Sequence, residues 1–147
     1  MFSWLAIQNR LWTADRLSAR GWPHNDRCVL CRATPECGIH LFADCRFVKR
    51  IWDNISTWAK VDGLQPAAWQ TFQSMEEWWT MIARLPSNDA KGLRSLIMLV
   101  IWEIWLERNA IIFKHTESSC PRVISRIKDL ASNWMAAGAK HLAVLLA

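Results

Sequence analysis

The spacing of apolar residues is helical along nearly the whole chain, and no stretch shows the period-two alternation of a half-buried strand. Residues 46–60 are the clearest case. At 100° per residue, Phe47, Val48, Ile51, Trp52, Ile55, Trp58 and Ala59 fall within an arc of roughly 140°. Arg46, Lys49, Arg50, Asp53, Asn54 and Lys60 take the other side, so one face packs and the other is wetted. Trp4, Leu5, Ile7, Leu11 and Trp12 predict a short helix over 4–12. Thr13 can cap a second, with Ala14 and Leu17 inward and Gly21 at its end. Residues 21–45, punctuated by Gly21, Pro23, Asn25, Asp26, Pro35 and Gly38, read as irregular.

Beyond residue 60, Gly63 and Pro66 predict a loop with a short helix near Trp69. Ser74 and Glu77 form a capping box for a helix that runs to about Arg84, before Pro86. Ser87-Asn88-Asp89 caps the next, which runs to about Lys114. From Leu93 to Leu106 it is apolar on most sides, the mark of a central helix. Ser118, Ser119 and Pro121 open a last helix over 119–146. The fold class is therefore all-α, a single domain over 1–147 with an irregular segment, 22–46, between the second and third helices.

The chain is long enough to build a core without staples: at 147 residues, 52% of them hydrophobic, it is neither disordered nor fibrous. Eleven Trp and no Tyr are unusual. Trp52, Trp58, Trp102 and Trp105 sit on helical positions that predict burial, whereas Trp22, in the irregular segment, is the candidate for an exposed ring. The net charge of +5 is concentrated in residues 1–60, which hold nine basic against five acidic residues. That excess is compatible with solubility alone or with a polyanionic partner. No signal peptide is legible at Met1-Phe2-Ser3-Trp4, and the longest apolar run, Leu96–Trp102, falls far short of the ~20 residues that span a bilayer. The expectation is a soluble, intracellular protein, nuclear or cytoplasmic, with no membrane contact and reduced thiols. An odd count of five Cys agrees with the last point.

One constellation carries chemistry. Cys28-Val29-Leu30-Cys31 is followed after eight residues by His40 and after four more by Cys45. Two thiols two residues apart present both sulfurs to one cation, and a His and a Cys complete a tetrahedron. Three thiolates and one imidazole in a closed set suit one structural Zn²⁺, whereas a catalytic zinc keeps an open position. A thioredoxin-like redox pair would follow a strand, and none precedes Cys28. Cys37, inside the spacer, is left outside the set, with substitution as a ligand left open. Arg27 and Arg32 flank the first cysteines, and Arg46, Lys49 and Arg50 follow the last. With Trp22 as a stacking ring, these residues form a candidate surface for RNA or DNA; a merely solvated helix face is the other reading. His24, His115 and His141 read as surface histidines and Cys120 as a packing thiol. Glu103 and Glu107 read as helix-to-helix salt bridging. No Walker loop, nucleophile elbow or paired-Asp polymerase motif is present, which points away from an enzyme.

Trp4 to Leu17, Gly21-Trp22, the Cys28/Cys31/His40/Cys45 set with His40-Leu41-Phe42, and Trp52 together resemble the reverse-transcriptase zinc-binding domain of plant non-LTR (LINE-type) retrotransposon polyproteins. Trp102 to Asn109 with Ile112-Phe113 resembles that family's closing helix. The resemblance implies that the four residues are zinc ligands one for one. It also implies that the domain works beside the polymerase part of the same element, holding template RNA or target DNA. The family usually has a stretch before Trp4, so the chain reads as an N-terminally truncated piece, and Cys37 stands where Thr or Ser is usual. A zinc-stabilised protein-interaction domain and a decayed element fragment are the alternatives.

Overall fold

The computed structural model describes residues 1–147 and is all-α: seven helices, two short helical turns and no strand. The helices are α1 (Phe2–Ile7), α2 (Ala14–Ala19), α3 (Arg46–Ala59), α4 (Met75–Ala83), α5 (Ala90–Lys114), α6 (Cys120–Ala136) and α7 (Lys140–Leu146). No helix is long and apolar enough to cross a membrane.

The central position of α5 follows from its sequence. Its 25 residues rise about 37 Å, and Leu93, Leu96, Ile97, Leu99, Val100, Ile101 and Ile104 are all buried, on more than one face. α1, α4, α6 and α7 pack around it. Its start is fixed by Asp89, whose carboxylate accepts from the Gly92 amide at 2.8 Å. Gly92 is required by packing: a Cβ there would lie 2.3 Å from the His141 carbonyl oxygen, so only a glycine lets α7 lie this close. His141 is not the partnerless surface histidine expected from sequence, since its Nδ1 sits 2.9 Å from Asp89 Oδ2. On α5 and α6, Glu107 and Glu103 both meet Arg126, at 2.7 and 3.5 Å, which is the predicted helix-to-helix bridge.

α3 is amphipathic as its pattern predicts. Val48, Ile51, Trp52, Ile55 and Ala59 are buried, Phe47 and Trp58 are half-buried, and the charged side is exposed. Trp52 meets Trp69 and Trp78 edge-on, with ring centres 6.0 and 5.8 Å apart. Its indole N–H donates to the Phe42 carbonyl at 2.8 Å, which ties α3 to the segment before it. The capping box forms on α4: Ser74 Oγ accepts from the Glu77 amide, and the Glu77 carboxylate reaches back to the Gln73 amide at 2.9 Å.

Four expectations are corrected. The first helix spans only Phe2–Ile7, because Asn9 takes a left-handed φ of 54° and the Arg10 amide turns back to the Leu5 carbonyl. The irregular segment contains a π-helical turn, His40–Asp44. The last helix is two helices, since Gly138 adopts a φ of 108° and reverses the chain onto α5. Trp102 is 37% exposed instead of buried, at the edge of the core where its ring meets Phe2 of α1 edge-on, 5.0 Å between centres.

Candidate metal centre

The four sequence-selected residues converge although they come from different local structures. Cys28 and Cys31 lie on a tight loop closed by the Arg32 amide donating to the Cys28 carbonyl and the Cys28 amide to the Thr34 carbonyl, at 2.8 and 2.7 Å. Arg32 takes the left-handed φ of 57° that this reversal needs. His40 opens the π-helical turn, and Cys45 is the N-cap residue of α3. The wide turn over His40–Asp44 thus separates the third and fourth ligands while keeping both on one side.

All four ligand atoms lie within 4.8 Å of one another. Cys28 Sγ and Cys45 Sγ are 3.9 Å apart, and Cys31 Sγ is 3.4 Å from His40 Nε2. Zn–S bonds of about 2.3 Å and Zn–N bonds of about 2.0 Å at tetrahedral angles require edges of about 3.8 and 3.5 Å. Those two edges match, and four protein ligands of this kind complete the tetrahedron of one structural Zn²⁺. The Cys37 thiol lies outside the group.

The electrostatics favour thiolates at two of the three sulfurs. Cys45 is lowered first by its hydrogen bond to Cys28 and further by the Val48 and Phe47 amides at the start of α3. Burial works to raise Cys31, but the Ala33 and Thr34 amides and the His40 ring outweigh it and lower the thiol. Cys28 is pushed up to about 12, chiefly by holding the proton shared with Cys45 and then by burial. His40 is raised, first by Cys28. A divalent cation replaces these protons, so the neutral imidazole and three thiolates would be its ligands. When bound, zinc supplies a rigid cross-link between the loop and α3. Thr34 Oγ1, 3.3 Å from the imidazole nitrogens, can orient the ring.

A second anchor holds the spacer. Glu36, between Cys31 and His40, is 3% exposed, and Arg108 of α5 is 4% exposed. Arg108 Nη2 donates to Glu36 Oε1 at 2.7 Å and Nε to Oε2 at 3.0 Å, a bidentate pair. Glu36 Oε1 also accepts from the Ala14 amide at the start of α2, and Arg108 Nη2 from its other side reaches the Trp12 carbonyl at 3.2 Å. One ion pair thus joins the metal loop, α2 and α5. Sequence reasoning missed it, because 72 positions separate the partners and neither carries a local motif.

The residues selected for nucleic acid divide into two groups. Arg27 donates to the Ala33 carbonyl and Arg46 to the Cys31 carbonyl, so both are mounted on the metal loop. Lys49 and Arg50 continue the exposed face from Arg46 along α3. Arg32 is paired with Glu117 at 2.8 Å. Trp22 stands elsewhere. It is 48% exposed and packs against Trp12, with ring centres 5.0 Å apart.

No curated protein and no solved structure matches the chain. Residues 1–52, which hold all four ligands and the first turns of α3, match the family model described as zinc-binding in reverse transcriptase.

Proposed function

We propose that the chain is a zinc-stapled module of a plant non-LTR retrotransposon reverse transcriptase that helps hold RNA or DNA and performs no catalysis of its own. The observation that carries this reading is the family match over a complete Cys₃His set whose loop and following helix present cations outward. Arg27, Arg46, Lys49 and Arg50 have no carboxylate partner within 4.0 Å, whereas Arg32 must exchange Glu117 for a phosphate. The polymerase part of the same element is the natural protein partner.

The test is binding of single-stranded RNA to the zinc-loaded chain as a function of salt. Each phosphate neutralised on a single strand adds about −0.7 to the slope of log affinity against log salt. Four free cations give a slope of about −2.8, and replacing Lys49 and Arg50 together flattens it by about 1.4. No binding at low salt, in a folded and zinc-loaded sample, overturns the reading in favour of a zinc-stabilised protein-interaction domain. A metal-free, unfolded metal loop would mark a decayed fragment.

A further inference from the structure

A cleft of about 590 Å³ opens between the loop after α2 and the last turns of α5. Its walls are aromatic: Trp12 and Trp22 on one side, Trp105 and Phe113 on the other. Asn25 and Asn109 supply the polar groups. Trp22 and Phe113 are 48% and 72% exposed, so much of each ring is open to solvent although both line a cavity. Exposed aromatic surface of this kind costs solubility and is uncommon unless something covers it.

The charge around the cleft identifies the occupant. No carboxylate lines it. Outside the lining, the Arg16 and Arg20 guanidiniums lie over the Trp12 ring, 4.4 and 6.0 Å from its centre, while Lys114 follows Phe113 and Asp26 follows Asn25. Arg108, in the wall, is already neutralised by Glu36. Asn109 Oδ1 accepts from Arg108, which leaves its amide N–H groups as donors toward the cleft. Arg27 is only five positions beyond Trp22, at most about 18 Å of chain, so a strand on the metal-loop cations can reach the cleft. Flat aromatic faces, amide groups for base edges and the arginines over Trp12 suit an unpaired base on an anionic backbone.

We infer that this cleft is a base-stacking site, in which Trp22 and Phe113 hold an unpaired base of a single-stranded nucleic acid whose phosphates run along the Arg16 and Arg20 side. The inference rests on the nucleic-acid reading and adds to it a second site, built by α2 and α5 together. A proline-rich peptide could also stack on such rings, but it would make no use of the surrounding arginines.

The experiment compares two fluorescein-labelled ten-nucleotide single strands on the full zinc-loaded chain, one carrying bases and one abasic throughout, by anisotropy. The base-bearing strand is expected to bind about 5- to 150-fold more tightly, the range that one stacked base contributes. Trp22→Ala and Phe113→Ala, both at exposed positions, are each expected to remove most of that ratio while leaving the salt slope unchanged. Equal affinity for both strands, with the salt slope intact, overturns the cleft and leaves the phosphate-contacting surface standing. No binding of either strand overturns both. Binding of a polyproline peptide that the Phe113→Ala substitution abolishes, with no base-dependent ratio, assigns the cleft to protein and overturns the inference.

Discussion

Replacing Glu36 by Gln removes one charge from a buried bidentate pair while keeping its volume. The amide oxygen can still accept from the Ala14 N–H or from Arg108, but its NH₂ group must face another donor of the guanidinium. Arg108 is then left as an uncompensated cation at 4% exposure. Breaking a buried pair from one side costs about 3–5 kcal/mol, whereas replacing both partners by apolar residues of similar volume is often close to neutral. Glu36→Gln and Arg108→Met should therefore each lower stability by about 3–5 kcal/mol. For a domain near this size that is a drop in Tm of roughly 6–20 °C, at 2–4 °C per kcal/mol. The Glu36→Met/Arg108→Met double variant should recover a large part of the loss. Because Glu36 sits between two zinc ligands, Glu36→Gln should also weaken zinc affinity, since an unanchored spacer must be ordered when the metal binds. Thermal unfolding of the zinc-loaded variants and competition with a chromophoric chelator measure the two effects. Single variants that each cost under about 1 kcal/mol, or a double variant whose loss equals the sum of the singles, would show that the pair does not join the loop to α5.

Three further outcomes follow from the structure. Chelating the metal should loosen residues 22–50 while leaving most of α5 and α6 helical, because the buried side chains of those helices lie mostly in the central core; far-UV circular dichroism alongside amide exchange separates the two regions. Gly92→Ala should destabilise by about 1–3 kcal/mol, the cost of overpacking, and should detach α7 first, since the new methyl group would press on the His141 carbonyl 2.3 Å away; protection of α7 amides equal to that of the parent would refute this. The Asp89 carboxyl is held below its ordinary value of 3.8 by His141 and the Gly92 amide. A depressed carboxyl contributes stability that is present above that value and lost as pH falls through its folded value, so acid should free α7 before α6, and limited proteolysis across pH 5 to 2 reads the order.

The helices were legible because their residues answer to local rules. The amphipathic arc of α3, the all-round apolar run of α5 and the caps at Ser74, Asp89 and Ser119 are each visible within a few turns of sequence. The ligand set was legible for a similar reason: Cys28, Cys31, His40 and Cys45 lie within 18 residues, and soft donors at that spacing have one common use. What sequence hid depends on distant chain. The π-helical turn at His40–Asp44 is stabilised by Trp52 donating to Phe42, a contact no periodicity encodes. The Glu36–Arg108 pair looks like a loop acid and a helix-surface base until the fold buries both. Trp12 reads as a helix residue and Phe113 as part of the closing helix, and only the fold brings both to one cleft. Gly138 lies between two helix-favouring stretches that read as one helix, and this single glycine, at a φ of 108°, is enough to turn the chain.

The claim on which the rest depends is that one zinc ion binds Cys28, Cys31, His40 and Cys45. Metal content of the purified chain, measured with that of Cys28→Ser and Cys37→Ser, tests it most directly. Ligation by these four residues requires one zinc per chain in the parent and in Cys37→Ser, none retained through gel filtration in Cys28→Ser, and the visible absorption of a tetrahedral thiolate site when Co²⁺ replaces zinc. A parent chain that is folded over residues 22–50 without metal, or a Cys37→Ser chain that loses it, would show that these four residues are not a zinc site.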